Sequence, residues 1–372
     1  MKVLFTCGGT AGHINPALGV AGRIKELFPA AEILFVGSEG HMETELVPRE
    51  GFELKTVRIS GFRRSLKPKM IAENIRTAYR VVVSQIRAKK ILREFKPDVA
   101  VGTGGYVCYP VLKAASDMGI PTAVHESNAV PGLTTRLLER SVDRILVGFE
   151  ESRGHYRHPE KVENTGTPVR EGFRGADRGR DRRELGFDSR EPIVLAAFGS
   201  LGARYMNGVM ERFVERMGPQ PEFRLIYATG KQYYDEVKRN LAARGLTDGR
   251  IDVREYVYDM PKVMSAADVI ICRAGASTMS ELTYLGKPAV IVPSPNVVND
   301  HQTKNARVLQ NAGAARMLRE GEFDGDELYE TVTSLLCDPL ESARMHAASR
   351  HLGKRDATDR IVSILLELAE KG

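Results

Sequence analysis

A chain of 372 residues is long enough for two domains of ordinary size, and 54 Lys+Arg against 48 Asp+Glu leave it mildly basic. That excess suits an anionic ligand or surface and is too small to imply nucleic acid. Cys7, Cys108, Cys272 and Cys337 lack any spacing that suggests zinc or a disulfide framework, so a reduced cytoplasm is expected. No run approaches the ~20 apolar residues of a spanning helix.

The first element is the strand Val3-Leu4-Phe5-Thr6-Cys7, ended by Gly8-Gly9-Thr10-Ala11-Gly12-His13 and a helix-like run from Asn15. It is too short for a signal segment, so a soluble protein is expected, one still able to sit on a membrane. An apolar strand feeding a glycine turn and a helix presents backbone N–H groups and a positive helix end to an anion. Three more turns of this kind follow: Gly102-Thr103-Gly104-Gly105, Gly199-Ser200-Leu201-Gly202 and Arg273-Ala274-Gly275-Ala276-Ser277-Thr278. The first lacks the Gly-Lys-Ser/Thr ending of an NTPase loop and departs from G-x-G-x-x-G, so no dinucleotide is forced.

Continuous apolar runs at Ile33–Val36, Val99–Val101, Thr122–Val124 and Ile145–Val147 alternate with helical patterns, as in a parallel sheet covered on both faces. Between Phe62 and Phe95, Arg63, Arg64, Lys67, Lys69, Arg76, Arg80, Arg87, Lys89, Lys90 and Arg93 stand against only Glu73 and Glu94. Ile71, Ile75, Tyr79, Val82, Val83 and Ile86 are interleaved at helical spacing. The apolar stripe reads first as packing on the sheet, and its cationic flank suits an anionic membrane surface. From Glu150 to Arg190 the pattern fails and charges crowd at 174–184, which reads as a linker plus a solvated helix start.

Strand-turn-helix restarts at Ile193–Phe198 and continues at Arg224–Tyr227, Val269–Cys272 and Ala289–Val292. Two doubly wound α/β domains are expected, divided as 1–164 and 165–352. The helix in 353–372, with Ile361, Leu365 and Leu368 on one face, is expected to pack back on the first.

Several polar groups fall at strand ends, where open α/β sheets bind ligands. His13 suits a base or hydrogen-bond donor, or equally a cap. Asn128, in His125-Glu126-Ser127-Asn128, suits a sugar hydroxyl or a turn before Pro131-Gly132. Glu281, one turn beyond Thr278, suits a ribose or the helix dipole. Asn299-Asp300-His301-Gln302 places amides and a histidine after another strand. Asp324-Gly325-Asp326 is formally D-x-D but reads as turn and cap.

In order, GGTAGHINPAL, VGTGGYVCYP, HESNAVPGLT, TGTPVR, FGSLGAR and CRAGASTMSEL resemble the MurG family, cytoplasmic glycosyltransferases that add N-acetylglucosamine to lipid-linked muramyl-pentapeptide. The resemblance covers nearly the whole chain. It implies the GT-B fold, two Rossmann-like domains facing across a cleft, with UDP-GlcNAc (UDP-N-acetylglucosamine) as donor and undecaprenyl-pyrophosphoryl-muramyl-pentapeptide as acceptor. No cofactor or bound metal is implied. Thr10, Ala11 and Gly12 would line the site beside the donor, with Asn128 near the sugar. Arg170 and Ser200 would meet the diphosphate, Val257 the uracil, Glu281 the ribose and Gln302 sugar hydroxyls, with Ala276, Ser277 and Thr278 supplying a helix N-terminus. Ala11 stands where a glycine is frequent, and Leu201 where a glutamine is usual. His13 leads as the base and Glu126 follows. A UDP-GlcNAc 2-epimerase and a non-catalytic nucleotide-sugar sensor are the competing readings.

Overall fold

The computed structural model of the chain describes residues 1–59, 68–199, 202–246 and 249–371, without the side chains of 68–79 and Val298. Ser200 and Leu201 therefore lie outside the described residues, as do Phe62, Arg63, Arg64 and Lys67.

The chain divides into two compact units, Met1–Arg170 with Lys354–Gly372, and Glu171–Gly353. In the first, β1 (Lys2–Thr6), α1 (Ala11–Leu27), β2 (Glu32–Ser38), α2 (Glu43–Arg49), β3 (Glu53–Val57), α3 (Pro68–Phe95), β4 (Val99–Gly102), α4 (Cys108–Asp117), β5 (Thr122–Glu126), α5 (Leu133–Leu138), β6 (Arg144–Val147) and β7 (Val162–Asn164) follow in turn. They make a parallel sheet ordered β3-β2-β1-β4-β5-β6-β7.

Both faces of this sheet are buried, and the period of two decides which residue goes where. Val3, Phe5, Ile33, Phe35, Val99 and Val101 enter one core cluster, and Leu4, Leu34, Val36 and Ala100 enter the other. Phe5 stacks on Phe35 at 5.1 Å.

The second unit begins with α6 (Arg178–Glu184), β8 (Ile193–Ala197), α7 (Arg204–Met217), β9 (Arg224–Ala228), α8 (Tyr234–Ala243) and β10 (Ile251–Arg254). It continues with α9 (Met260–Ala266), β11 (Val269–Cys272), α10 (Ala276–Leu285), β12 (Ala289–Ile291), α11 (His301–Asn311), β13 (Ala315–Met317), α12 (Gly325–Cys337) and α13 (Pro339–Leu352). Its parallel sheet is ordered β10-β9-β8-β11-β12-β13. Finally α14 (Ala357–Ala369) places Ile361, Val362, Leu365 and Leu368 in the first unit's core. Arg23–Asp359 and Arg360–Glu163 ion pairs fasten its rim.

Two expectations are corrected. The charged run at 174–184 is not merely solvated: Asp181 and Arg182 on α6 are buried. The Arg182 guanidinium donates to the carbonyls of Ala266, Asp188, Ser189 and Glu191 and pairs with Asp268 at 2.6 Å, so its charge is compensated inside the fold. The α3 stripe is also split. Ser84, Ala88, Ile91 and Leu92 face the sheet, whereas Val82, Val83 and Ile86 are exposed.

Candidate functional site

Strand order reverses between β1 and β4 in the first sheet and between β8 and β11 in the second. Such switch points open a crevice at the carboxyl ends of the strands. All four glycine turns lie at those ends.

In the first unit the turns after β1 and β4 are built against each other. Gly8 N–H donates to the Gly104 carbonyl at 3.2 Å, and Thr103 Oγ1 donates to the His13 carbonyl at 2.6 Å. Gly104 has φ +123°, and a Cβ there would stand 2.4 Å from the His13 ring; one at Gly105, φ +92°, would stand 2.4 Å from the Gly8 carbonyl. The second turn thus gives up its side chains so that the imidazole can seat on it. Cys108 Sγ, 3.1 Å from the Thr6 carbonyl and 3.0 Å from that of Gly104, ties the turn to β1. Burial pushes its thiol up to about 12.

The half-buried His13 imidazole has Nδ1 3.1 Å from the Gly8 carbonyl. Thr10 Oγ1 also lies 3.4 Å from Nδ1 but can donate or accept, whereas a carbonyl only accepts, so the Gly8 contact favours hydrogen on Nδ1, which in the neutral ring leaves the lone pair on Nε2. Thr10 is exposed, and Ala11 and Gly12 open α1.

Glu126 closes β5 with both carboxylate oxygens committed. Oε1 accepts from the N–H and Nδ2 of Asn128 at 3.0 and 2.9 Å, and Oε2 from Gly132 N–H and Thr135 Oγ1, each at 2.8 Å. Four donors on a buried carboxylate suit it to shaping the Asn128 loop rather than accepting a proton. Its neighbour His125 is buried, with Nε2 3.0 Å from the Gly166 carbonyl, and burial first of all holds it below the usual imidazole range. Arg170 ends the first unit, in the segment after Gly166.

In the second unit Gly199 (φ +94°) and Gly202 (φ +71°) bracket the turn after β8, where a Cβ on Gly202 would stand 2.1 Å from the Thr229 carbonyl. After β11, Gly275 caps α10, and its first turn, beginning Ala276-Ser277-Thr278, holds no acidic residue. A helix start leaves N–H groups without intrahelical partners. Glu281 is buried one turn on and acts electrostatically on Cys272, whose thiol burial pushes up to about 12. Gln302, in the first turn of α11, accepts from Ser294 N–H at 2.8 Å and so ties that helix to the segment after β12. Val257 is buried in the connection between β10 and α9, three residues after β10 ends at Arg254. Asp324 Oδ1 accepts from Glu327 N–H at 3.0 Å and caps α12. Among the described residues no cluster of three His, Cys, Asp or Glu is placed to hold a metal.

Two residues to which the sequence assigns no role stand out. Arg273 donates to the carbonyls of Val292 and Pro293 and pairs with Glu320 at 2.5 Å, joining the ends of β11, β12 and β13. Glu43 is wholly buried beneath the first turn. Arg273 opens a recognisable glycine turn whose sequence does not reveal these partners, and Glu43 belongs to no motif. The one available signal was an acidic residue soon after β2, on a helix too short to stand out.

Residues 3–147 match the glycosyltransferase family 28 N-terminal domain and residues 193–361 its C-terminal domain. The UDP-N-acetylglucosamine--N-acetylmuramyl-(pentapeptide) pyrophosphoryl-undecaprenol N-acetylglucosamine transferase of Acetivibrio thermocellus is 40% identical over 368 residues, 99% of this chain and 98% of that one. The same-named transferase of Listeria welshimeri is 39% identical over 366 residues, 98% and 99% of the two chains. The crystal structure of Acinetobacter baumannii MurG superposes with a TM-score of 0.77 at 26% identity, covering 98% of this chain and 99% of that one. A putative UDP-N-acetylglucosamine 2-epimerase from Listeria monocytogenes reaches a TM-score of 0.70 at 14% identity, over 100% and 97% of the chains, and shares the fold alone. With two parallel-sheet Rossmann-like units of the GT-B class and matches in both halves, the chain belongs to glycosyltransferase family 28 and, within it, to the MurG family.

Proposed function

We infer that the chain moves N-acetylglucosamine from UDP-GlcNAc to the 4-hydroxyl of the lipid-linked muramyl-pentapeptide, releasing UDP and inverting the anomeric carbon. Full-length identity of 40% to transferases with this printed activity carries the reading. The epimerase reading has only a fold likeness behind it.

Within the first unit, His13 is the base. Its Nε2 holds the lone pair, and a base aligned on the acceptor hydroxyl contributes roughly 10²–10⁴-fold to such a reaction. Thr10, Ala11, Gly12 and Asn128 border the sugar, and Glu126 holds Asn128 in place.

The second unit grips the nucleotide. Glu281 takes the ribose, the Val257 backbone the uracil, and Gln302 the sugar hydroxyls. The N–H groups of Ala276, Ser277 and Thr278, with Ser200, neutralise the charge that builds on the departing diphosphate, and Arg170, the last residue before this unit, adds a cation. Under this reading positive helix ends and Arg170 do that work without a resident metal. A coupled assay of UDP release tests the reading. UDP appears only when a short-chain lipid-linked muramyl-pentapeptide is present; equal release without acceptor, or conversion of the donor to its 2-epimer, overturns it.

Work at the cytoplasmic membrane face follows from the acceptor's lipid and is supported by α3 and α5. Among the described residues no helix is long and apolar enough to cross a membrane. Val82, Val83 and Ile86 on α3 and Leu133 and Leu137 on α5 are nevertheless exposed, with Arg80, Arg87, Lys90, Arg136 and Arg140 exposed among them. Both helices flank α4 on one side of the same sheet. An apolar patch edged by cations suits an anionic bilayer surface. The chain's partners are then the donor, the lipid acceptor and that surface, with no role for nucleic acid.

A further inference from the structure

We propose that Glu43 is a positioning residue for His13, acting through the single peptide group between Gly8 and Gly9; the proposal rests on the reading of His13 as base.

The Glu43 carboxylate has no exposed surface. Its Oε1 accepts from Ser38 N–H at 2.8 Å and its Oε2 from Gly9 N–H at 3.0 Å, so it joins the ends of β1 and β2. Room for it was made on purpose by the sequence. A Cβ at Gly8 would stand 2.3 Å from Glu43 Oε1, and one at Gly37 2.5 Å from its Cγ.

The Gly9 N–H and the Gly8 carbonyl belong to the same peptide unit, and no peptide bond in the chain is cis among the described residues. In a trans peptide the two groups point to opposite sides. One side therefore meets the carboxylate and the other accepts from His13 Nδ1 at 3.1 Å. The order is carboxylate, peptide, imidazole, with a hydrogen bond on each side of the peptide.

Two consequences follow. The buried anion fixes the direction of the Gly8 carbonyl, which keeps hydrogen on Nδ1 and the lone pair on Nε2. Hydrogen bonds in series polarise one another, so the anion makes that carbonyl a stronger acceptor and favours the imidazolium formed when His13 takes the acceptor's proton. Of the titratable groups nearby, Cys7 and Cys108 interact electrostatically with Glu43, and His125 with His13. Burial keeps both thiols protonated and lowers His125, which leaves the Glu43 carboxylate as the acidic group hydrogen-bonded to this peptide.

The test combines a variant with a measurement on the unaltered chain. A glutamine at 43 has one oxygen to accept and presents an amide N–H to the other backbone donor. For Glu43→Gln, kcat is expected to fall about 10- to 100-fold with donor Kd unchanged, and the acidic limb of kcat/KM to move to lower pH. In the full-length chain labelled with 15N-histidine, His13, assigned by its loss in His13→Gln, is expected as the Nδ1–H tautomer above its titration, shifting towards Nε2–H in Glu43→Gln. An Nε2–H tautomer in the unaltered chain overturns the proposal, and that measurement decides even if the variant does not fold. So does a folded Glu43→Gln with unchanged kcat and pH limb while His13→Ala has lost turnover. Near-normal turnover of His13→Ala instead overturns the base reading, and with it the catalytic half of this one, whatever the tautomer.

Discussion

Lys287 shows how a single side chain can tie stability to pH. Its ammonium is buried, donating to the Ser265 and Ala267 carbonyls at 2.6 and 2.7 Å, and burial pulls it down from the lysine range to about 8. Between pH 8 and roughly 10.4 the unfolded chain holds a proton that the folded one has released, so this residue's contribution to stability rises with pH across that window. The full swing is on the order of 3 kcal/mol. In Lys287→Met the rise is absent. The gap in urea midpoint between the unaltered chain and the variant is therefore expected to move in favour of the unaltered chain from pH 8 to pH 10; a gap that stays flat would show that the burial cost is already met by Asp268.

Other residues were legible only in part. The places of His13, Glu281 and the Ala276-Ser277-Thr278 helix start, at turns that follow strands, were readable because they sit at fixed offsets from glycines. The service of Gly104 to the His13 ring was not, since it depends on β4 lying beside β1, a pairing separated by more than ninety residues. Glu126 followed His13 as a candidate base. Only its four hydrogen-bond donors show what the carboxylate is occupied with.

At the scale of elements, the buried strands were legible because burial on both faces forces continuous apolar runs. The strands missed, Glu53–Val57, Val162–Asn164, Ile251–Arg254 and Ala315–Met317, are edge strands of three to five residues with charged or polar members. They are held by one neighbour each, so their sequences carry little pattern. The charged run around α6 misled for another reason: Arg182 is compensated by backbone carbonyls of Asp188, Ser189, Glu191 and the remote Ala266, and backbone partners leave no side-chain signature in the sequence.

The exposed side of α3 carries a test at this scale. Ile86 is 65% exposed, so Ile86→Glu should leave the fold intact while lowering affinity for vesicles rich in anionic lipid severalfold. Binding of the unaltered chain should favour anionic over neutral vesicles and weaken with salt, each basic side chain near the surface contributing about 1 kcal/mol. Equal sedimentation with neutral and anionic vesicles at low salt would remove the electrostatic part of the account.

For the whole molecule, two sheets of near-identical winding each place glycine turns at their switch points, and family matches cover both. The first unit is completed by its own C-terminal helix, which returns after the second unit has been built and buries Ile361, Leu365 and Leu368 against β1-side residues. The division of the chain was visible in the restart at Ile193. The return was foreshadowed by the amphipathic spacing of α14, whereas the exact division at Arg170 and Gly353 was not, because the TGTPVR segment packs on α1 through contacts such as Gly19 with Val169 rather than through any motif.

The most direct measurement of the central claim is the linkage formed by the unaltered chain from UDP-GlcNAc and short-chain lipid-linked muramyl-pentapeptide in the presence of chelator, read by NMR of the product with UDP counted alongside. Because the donor sugar is α-linked to UDP, inverting transfer predicts a β-linked N-acetylglucosamine on the 4-hydroxyl of the muramyl sugar, with one UDP released for each linkage formed. An α-linked product, attachment at another hydroxyl, or donor consumed without acceptor would contradict it.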